Sequence, residues 1–124
     1  MRDEQLADGL QDRLIDFAVR VIKAAEALPR TTVGKHIANQ ILRCGTAGAP
    51  QYAEARGAES RSDFIHKLKI ACKELNECQV WIRMICRAEL LKPGLLSDLL
   101  DENQQLSRIL NSSVTTARRS SDNQ

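Results

Sequence analysis

The stretch from Phe64 to Ile85, FIHKLKIACKELNECQVWIRMI, decides the fold class of this chain. Its apolar residues recur at steps of four and three without a break: Phe64, Leu68, Ala71, Leu75, Cys78, Ile82 and Ile85. This spacing places them along one side of an α-helix, in the seam that a left-handed bundle packs inward. The stretch therefore predicts a long helix within a helical bundle.

The composition of the whole chain agrees with a bundle. Its 124 residues are 43% hydrophobic and 27% charged but only 3% aromatic, which fits a single domain with an aliphatic core. The net charge of +2 is too small to imply a nucleic-acid partner by itself. No apolar run approaches the roughly 20 residues of a membrane span, and the N-terminus lacks the apolar region of a signal peptide. We therefore expect a cytoplasmic protein without a membrane partner.

Three further helices are predicted around the quoted one. The four extents are about Asp3 to Leu28, Val33 through the following Gly-rich segment, Ser60 or Ser62 to Leu91, and Leu95 to Val114. The breaks between them are short, so neighbouring helices should run antiparallel. The sequence thus predicts an all-α, antiparallel up-down-up-down four-helix bundle over residues 1–116. The polar residues 117–124 are predicted to form a disordered tail.

The segment RCGTAGAPQYAEARG, residues 43–57, is unusual because it combines Gly, Ala and Pro within the second predicted helix. It contains neither GxxxxGK[ST] nor GxGxxG and no strand precedes it, so a phosphate-binding loop is not supported. If the helix continues, Gly45 and Gly48 each cost about 1 kcal/mol relative to Ala, and Pro50 removes the hydrogen bond to the Thr46 carbonyl. We predict a kink at Pro50 and the close approach of a neighbouring helix at Gly48.

A second apolar stripe on the third helix is offset from the seam. It consists of Trp81, Met84, Ala88 and Leu91. One interpretation is that the broad apolar arc packs on two neighbouring helices and that Trp81 covers the edge of the bundle. The other is a contact between subunits, since exposed Trp and Met at helical spacing are typical of interfaces. We predict the subunit contact and hence a homo-oligomer.

A third face of the same helix is basic and contains no acid. It consists of His66, Lys69, Lys73, Arg83 and Arg87. Such a face is often a solvated surface without a partner. Five basic groups along one helix could also contact the phosphates of RNA or DNA.

Enzymatic chemistry has little support in the sequence. A di-metal site in a four-helix bundle needs Glu-x-x-His motifs, whereas Glu74 and Glu77 form Glu-x-x-Glu with no histidine behind them. The four cysteines show no CxxC spacing, which favours small buried hydrophobic residues. We therefore expect no enzyme, no cofactor, no metal and no small-molecule substrate. Glu54, Glu74 and Glu77 are predicted to pair with Arg43, Arg56 or Arg61 and to fix the helix register.

The run from Gln51 to Glu77 resembles the four-helix-bundle proteins encoded in intervening sequences of bacterial large-subunit ribosomal RNA genes. That family has an Asn-Ile-Ala-Glu-Gly element, then a Phe-x-x-x-Leu-x-Ile-Ala helix, then Leu-x-Glu. The matching residues are Ala53, Glu54, Phe64, Leu68, Ile70, Ala71, Leu75 and Glu77. The element departs from the family at Gln51, Tyr52 and Ala55.

The resemblance implies a small helical bundle. The family is also similar to the accessory variability determinant protein of diversity-generating retroelements, so the analogy implies a homopentamer with nucleic acid as a partner. Two functions therefore stand side by side: a self-assembling module that acts through its homo-oligomer, and a nucleic-acid-binding accessory factor that uses the basic face.

Overall fold

The chain folds into four α-helices, and this computed structural model describes the backbone of residues 2–122 and the side chains of residues 3–120. The helices are α1 (Arg2–Ala27), α2 (Thr32–Arg56), α3 (Arg61–Arg87) and α4 (Pro93–Asp122). Residues 2–122 contain no strand. The predicted all-α class with four helices is therefore confirmed.

The helices pack side by side, with α2 between α1 and α3, and with α4 on α3 and more lightly on α1. Over the described residues, the backbones of α1 and α3 do not approach each other, and only their core side chains share the same cluster. They therefore occupy opposite corners of the helical assembly, and the outer sides of these two helices face away from each other.

The core consists mostly of aliphatic side chains, as the composition predicts. Six of the seven residues of the predicted seam on α3 are buried: Leu68, Ala71, Leu75, Cys78, Ile82 and Ile85. Phe64, the seventh, is partly buried against the same cluster. Burying a large apolar side chain contributes about 1.5–3 kcal/mol, so this seam is a main source of stability.

The helices α2 and α3 each begin at an N-cap residue. The Thr31 hydroxyl accepts a hydrogen bond from the Gly34 backbone N–H at 3.0 Å, and the Ser60 hydroxyl accepts one from the Asp63 N–H at 3.0 Å. Each bond satisfies a backbone donor that the first turn of a helix leaves unpaired. Thr31 and Ser60 are therefore the caps.

The third helix ends earlier than predicted, at Arg87 rather than at Leu91. Glu89 adopts a positive φ of 55°, and the Glu89 N–H donates to the Cys86 carbonyl while the Leu90 N–H donates to the Ile85 carbonyl. This pair of bonds is the Schellman motif, which usually has Gly at the left-handed position. Because Glu89 takes that position, the sequence gives no glycine signal for the end.

The Gly-rich segment lies within α2 up to Arg56, through Pro50, and Gly57 is the C-cap of the helix. At Gly48, where a close approach is predicted, an added Cβ would lie 3.5 Å from Leu14 Cδ2 and 3.8 Å from Leu75 Cγ, which are ordinary contacts. The tight position is Gly45, where an added Cβ would lie 2.5 Å from Val21 Cγ1. The segment is therefore a helix that α1 approaches closely at Gly45.

The C-terminal part of α4 extends further than the predicted end of the bundle. The helix continues to Asp122, and Ala117 is buried. The segment predicted to be a disordered tail, residues 117–124, is therefore helical up to residue 122. The helix continues because its buried side extends about one turn beyond Val114, to Ala117. Residues 123 and 124 lie outside the described part.

Candidate interaction surfaces

The basic face of α3 lies on the outer, solvent-exposed side of the helical assembly. His66, Lys69, Lys73, Arg83 and Arg87 are all exposed. Within the described part of the chain, none of them forms a salt bridge, although the positive charge of Lys73 acts on the nearby Glu77 carboxylate. The face therefore holds five basic groups whose charge is not neutralised by ion pairs to any residue that the structure describes.

Two large apolar side chains lie among these basic groups. Val80 is 50% exposed and Met84 is 40% exposed. Both continue the helical spacing of the basic residues, with Lys73 and Val80 two turns apart on the same side of the helix. The outer side of α3 is thus basic toward both ends and apolar between them. We call it the basic α3 face.

The outer side of α1 carries the opposite charge and was missed in the sequence reasoning. Its exposed residues follow a 4-3-4-3-4 spacing: Asp8, Asp12, Ile15, Val19, Ile22 and Glu26. The three apolar members are 45%, 42% and 38% exposed in chain order. We call this stripe the acidic α1 face. The stripe has the same helical period as the buried side of α1.

The acids of this stripe differ in their pairing. Asp8 accepts a hydrogen bond from Arg56 of α2 at 2.6 Å. In contrast, Asp12 and Glu26 have no hydrogen bond or salt bridge to any described residue. Two carboxylates, one toward each end of the stripe, therefore remain available to an external cation.

Trp81, the first residue of the predicted oligomer stripe, packs within its own chain. Its ring meets the His36 ring edge-on, with centroids 5.8 Å apart and an interplanar angle of 73°. Its Nε1–H donates to Glu77 Oε2 at 3.1 Å. The half-buried indole thus covers the α2–α3 edge, while Met84 is more exposed.

The remaining members of that stripe do not continue it along a helix. Ala88 is the C-cap of α3 and Leu91 lies beyond the helix, partly buried against the core. The predicted stripe is therefore shortened to Trp81 and Met84 as a helical feature. The reason is the left-handed Glu89, which changes the direction of the chain before Leu91.

Comparison with known proteins identifies the family. Residues 10–112 match the family model described as 23S rRNA-intervening sequence protein. The chain belongs to this family. A similar fold is seen in the 1.70 Å crystal structure of a protein with unknown function, from the S23 ribosomal protein family, of Bacteroides thetaiotaomicron. It is 31% identical, with a TM-score of 0.80, and the match covers 85% of this chain and 97% of that chain. No curated protein matches.

The family match covers the residues on which the sequence resemblance rests, from Ala53 to Glu77. The predicted family is therefore confirmed. Neither comparison attributes an activity to a family member, because the crystal structure is itself of a protein with unknown function.

The predicted glutamate pairs of this intervening-sequence protein are formed in part. Arg43 of α2 contacts both Glu74 and Glu77 of α3, with 3.2 Å between Arg43 Nη1 and Glu74 Oε2. Glu54 instead lies 3.4 Å from Lys67 Nζ. The Arg43 contacts join α2 to α3 near the middle of the helix pair, and the Glu54–Lys67 contact joins them near the α2–α3 connection.

Among these carboxylates, Glu77 contacts both the Trp81 indole and the Arg43 guanidinium. The Trp81 N–H hydrogen bond is the main cause that lowers the pKa of Glu77 below its ordinary value of 4.5, and Arg43 lowers it further. Trp81, Glu77 and Arg43 therefore form one connected polar chain along the α2–α3 edge.

One polar side chain lies in the centre of the protein. Asn103 of α4 is fully buried and its Nδ2 donates to the Leu75 carbonyl of α3 at 3.2 Å. Its Oδ1 has no hydrogen-bond partner within the described residues. Asn103 was not singled out from the sequence, where it appears as one of several polar residues in NQQ.

The cysteines are less uniform than predicted. Cys44, Cys72 and Cys78 are buried, but Cys86 is exposed. The Cys44 hydrogen bond and burial together raise the pKa of the Cys78 thiol. Burial raises the pKa of Cys72 as well. Three thiols therefore act as small core groups, and the fourth lies on the surface.

The structure gives no geometry for metal binding or membrane insertion in the part of the chain that it describes. No three His, Cys, Asp or Glu side chains there are grouped as metal ligands. No described helix combines the length and the hydrophobicity of a membrane span. Two surface grooves lie along the α1–α4 seam, where Leu6 and Ile109 are among the lining residues.

Proposed function

We propose that this protein is a non-enzymatic, self-assembling helical module whose role depends on its homo-oligomer. The exposed apolar side chains at helical spacing carry this proposal: Ile15, Val19 and Ile22 on α1, and Val80 and Met84 on α3. Contiguous apolar surface of this kind, with charged residues around it, is typical of a protein–protein contact. Each large side chain that an interface buries contributes about 1.5–3 kcal/mol before the entropy of association is subtracted.

The scaffold that we propose is an antiparallel up-down-up-down bundle. The contacts between α1 and α2 run in opposite chain order: Asp8 bonds Arg56, and Gln11 donates to the Ala49 carbonyl at 2.8 Å. Further along, Val21 faces Gly45. A rising number on α1 thus meets a falling number on α2, as the short connections between helices favour.

A ring of five copies in the cytoplasm is the form we propose, on the resemblance to the pentameric retroelement accessory protein. The predicted contact through Trp81, Met84, Ala88 and Leu91 is part of this proposal. Met84 supports it most directly, because it is the most exposed large side chain of the four.

Sedimentation equilibrium of the purified chain tests the self-assembly. We expect a mass that is a multiple of the chain mass at micromolar concentrations, and a chain that stays monomeric over that range would contradict the proposal. Met84→Glu should weaken assembly, whereas Lys92→Glu, a charge change on the exposed α3–α4 connection, should not.

Nucleic-acid binding is the second candidate, supported by the five exposed basic residues of the basic α3 face. Between His66 and Arg87 this face spans about 32 Å of helix, which is long enough to follow several phosphates of one groove. Phosphate contacts make affinity fall steeply with salt. A titration of the chain with duplex RNA and DNA at several salt concentrations tests this candidate.

A further inference from the structure

We propose that the acidic α1 face of one copy docks on the basic α3 face of the next copy, so that the subunits join head to tail. This inference rests on the self-assembly proposed above and assigns its two contacting surfaces. The occupant of the basic α3 face is then a second copy of this chain. The charges, the position of the two helices and their levels along the bundle support it in three steps.

The first step is that the two faces are complementary along their length. In chain direction, the acidic α1 face has an acid at Asp12, then the apolar residues Ile15, Val19 and Ile22, and then an acid at Glu26. In the same direction, the basic α3 face has basic residues from His66 to Lys73, then the apolar residues Val80 and Met84, and then a basic residue at Arg87. Placed side by side in the same chain direction, acids meet bases and apolar residues meet apolar residues. Complementary charges of this kind set the register of an interface.

The second step is that the acidic α1 face and the basic α3 face of one copy cannot pair with each other. Within the described chain, the backbones of helices α1 and α3 do not approach each other, and the two helices lie at opposite corners. Their outer faces therefore point in opposite directions. A contact between two different patches is heterologous, and repetition of it produces either a closed ring or an open filament.

The third step is that the matching residues lie at similar levels along the bundle. Arg13 of α1 bonds Glu102 of α4 at 2.7 Å, and the adjacent Asn103 bonds Leu75 of α3. Arg13 is therefore about level with Leu75. Asp12 lies beside Arg13 and Lys73 lies two residues before Leu75, so the acid and the base are within about one helical turn.

The route through α2 gives the same level. Asp8 bonds Arg56, and Glu54, two residues before Arg56, pairs with Lys67. Asp8 is therefore about level with Lys67, and Glu26, about 27 Å further along α1, is level with the end of α3 near Arg87. Copies can dock side by side with little shift along the bundle axis, which a closed ring requires in addition to a rotation that closes.

A charge swap tests this contact. We compare four chains by sedimentation equilibrium: the unmodified chain, Asp12→Lys/Glu26→Lys, Lys73→Glu/Arg87→Glu, and the chain that combines all four changes. Each double variant places like charges together and should raise the dissociation constant by about tenfold or more. The combined variant restores opposite charges at every contact and should reassemble. Asp98→Lys/Asp101→Lys, two exposed residues of α4, is the matched control and should assemble normally.

The possible outcomes distinguish the α1–α3 contact from the self-assembly on which it rests. A monomeric unmodified chain would overturn the self-assembly and this contact together. An oligomer that both double variants leave intact would overturn the α1–α3 contact and keep the self-assembly. Failure of the combined variant to reassemble, with a circular-dichroism melt that shows it folded, would also overturn the contact. If the basic α3 face bound nucleic acid instead, the combined variant would assemble no better than Lys73→Glu/Arg87→Glu.

Discussion

Val21 of α1 fills the space directly above the Gly45 backbone of α2. A Cβ added at Gly45 would lie 2.5 Å from Val21 Cγ1 and 2.8 Å from Val21 Cγ2. Both residues are buried, so neither helix can move away into solvent without opening the core. The spacing between α1 and α2 is therefore set at this pair.

Gly45→Ala should destabilise the protein, because the new methyl group overlaps a β-branched side chain that has little freedom to rotate. We expect a loss of about 1–3 kcal/mol in the free energy of unfolding. Gly48→Ala is the matched control: its Cβ meets Leu14 and Leu75 at ordinary distances of 3.5 Å or more. It should be neutral or stabilise by up to about 1 kcal/mol through helix propensity. Urea melts measure both, and equal effects would contradict the assignment of Gly45 as the tight position.

Glu89→Gly should stabilise the protein. Glu89 has a φ of 55° at the end of α3, a conformation that costs an L-residue other than Gly about 1 kcal/mol or more. Glycine removes that cost and keeps the two backbone bonds of the Schellman motif. We expect a gain of about 0.5–1 kcal/mol in thermal or urea melts. Arg87→Gly, inside the helix, should lose stability, so a loss in both variants would contradict this account of the helix end.

The sequence allows the long buried seam of α3 to be predicted because its period is strict and nearly every member enters the core. It does not distinguish Gly45 from Gly48, because the helix period gives the side of α2 on which a residue lies but not which residue of α1 faces it. The end of α3 cannot be predicted from the sequence for a related reason. Glu89, and not a glycine, occupies the left-handed position. Tertiary contacts decide both features.

The interaction surfaces are harder to predict than the core. On α1, Leu6 fits the apolar period of the core but is 65% exposed, since α4 packs only lightly on that helix. The stripe from Asp12 to Glu26 has the same period, yet it mixes charged and apolar residues and so gives no strong amphipathic signal. Its significance becomes visible only when α1 and α3 are seen at opposite corners.

A fall in pH should destabilise the packing of α2 on α3, because it protonates the Glu77 carboxylate. Because its pKa in the folded chain lies below the ordinary 4.5, the carboxylate contributes stability that is fully present above that pH. The contribution is lost as the pH falls through the lower folded pKa. Glu77→Gln should therefore lower stability at neutral pH and narrow the difference between neutral and acidic urea melts.

Fluorescence gives a local measurement of the same event, since Trp81 is the single tryptophan of the chain. Protonation of Glu77 removes the charge that accepts the indole N–H bond, so the emission of the unmodified protein should change below pH 4.5. Glu59→Gln, at an exposed glutamate before α3, should leave this titration unchanged. An identical acid titration in Glu77→Gln would show that Glu77 is not its source.

Nucleic-acid binding by the basic α3 face predicts a particular response to mutation and salt. Lys69→Glu/Lys73→Glu should weaken binding to RNA and DNA of any sequence about equally, because phosphate contacts carry no sequence information. Loss of two phosphate contacts should also flatten the slope of log affinity against log salt by about 1.8 for duplex DNA. Lys35→Glu, at an exposed position of α2, removes one positive charge elsewhere and should leave the slope nearly unchanged. If the unmodified chain does not bind either nucleic acid at low salt, the face has no such role, and the docking of a second copy accounts for its charge.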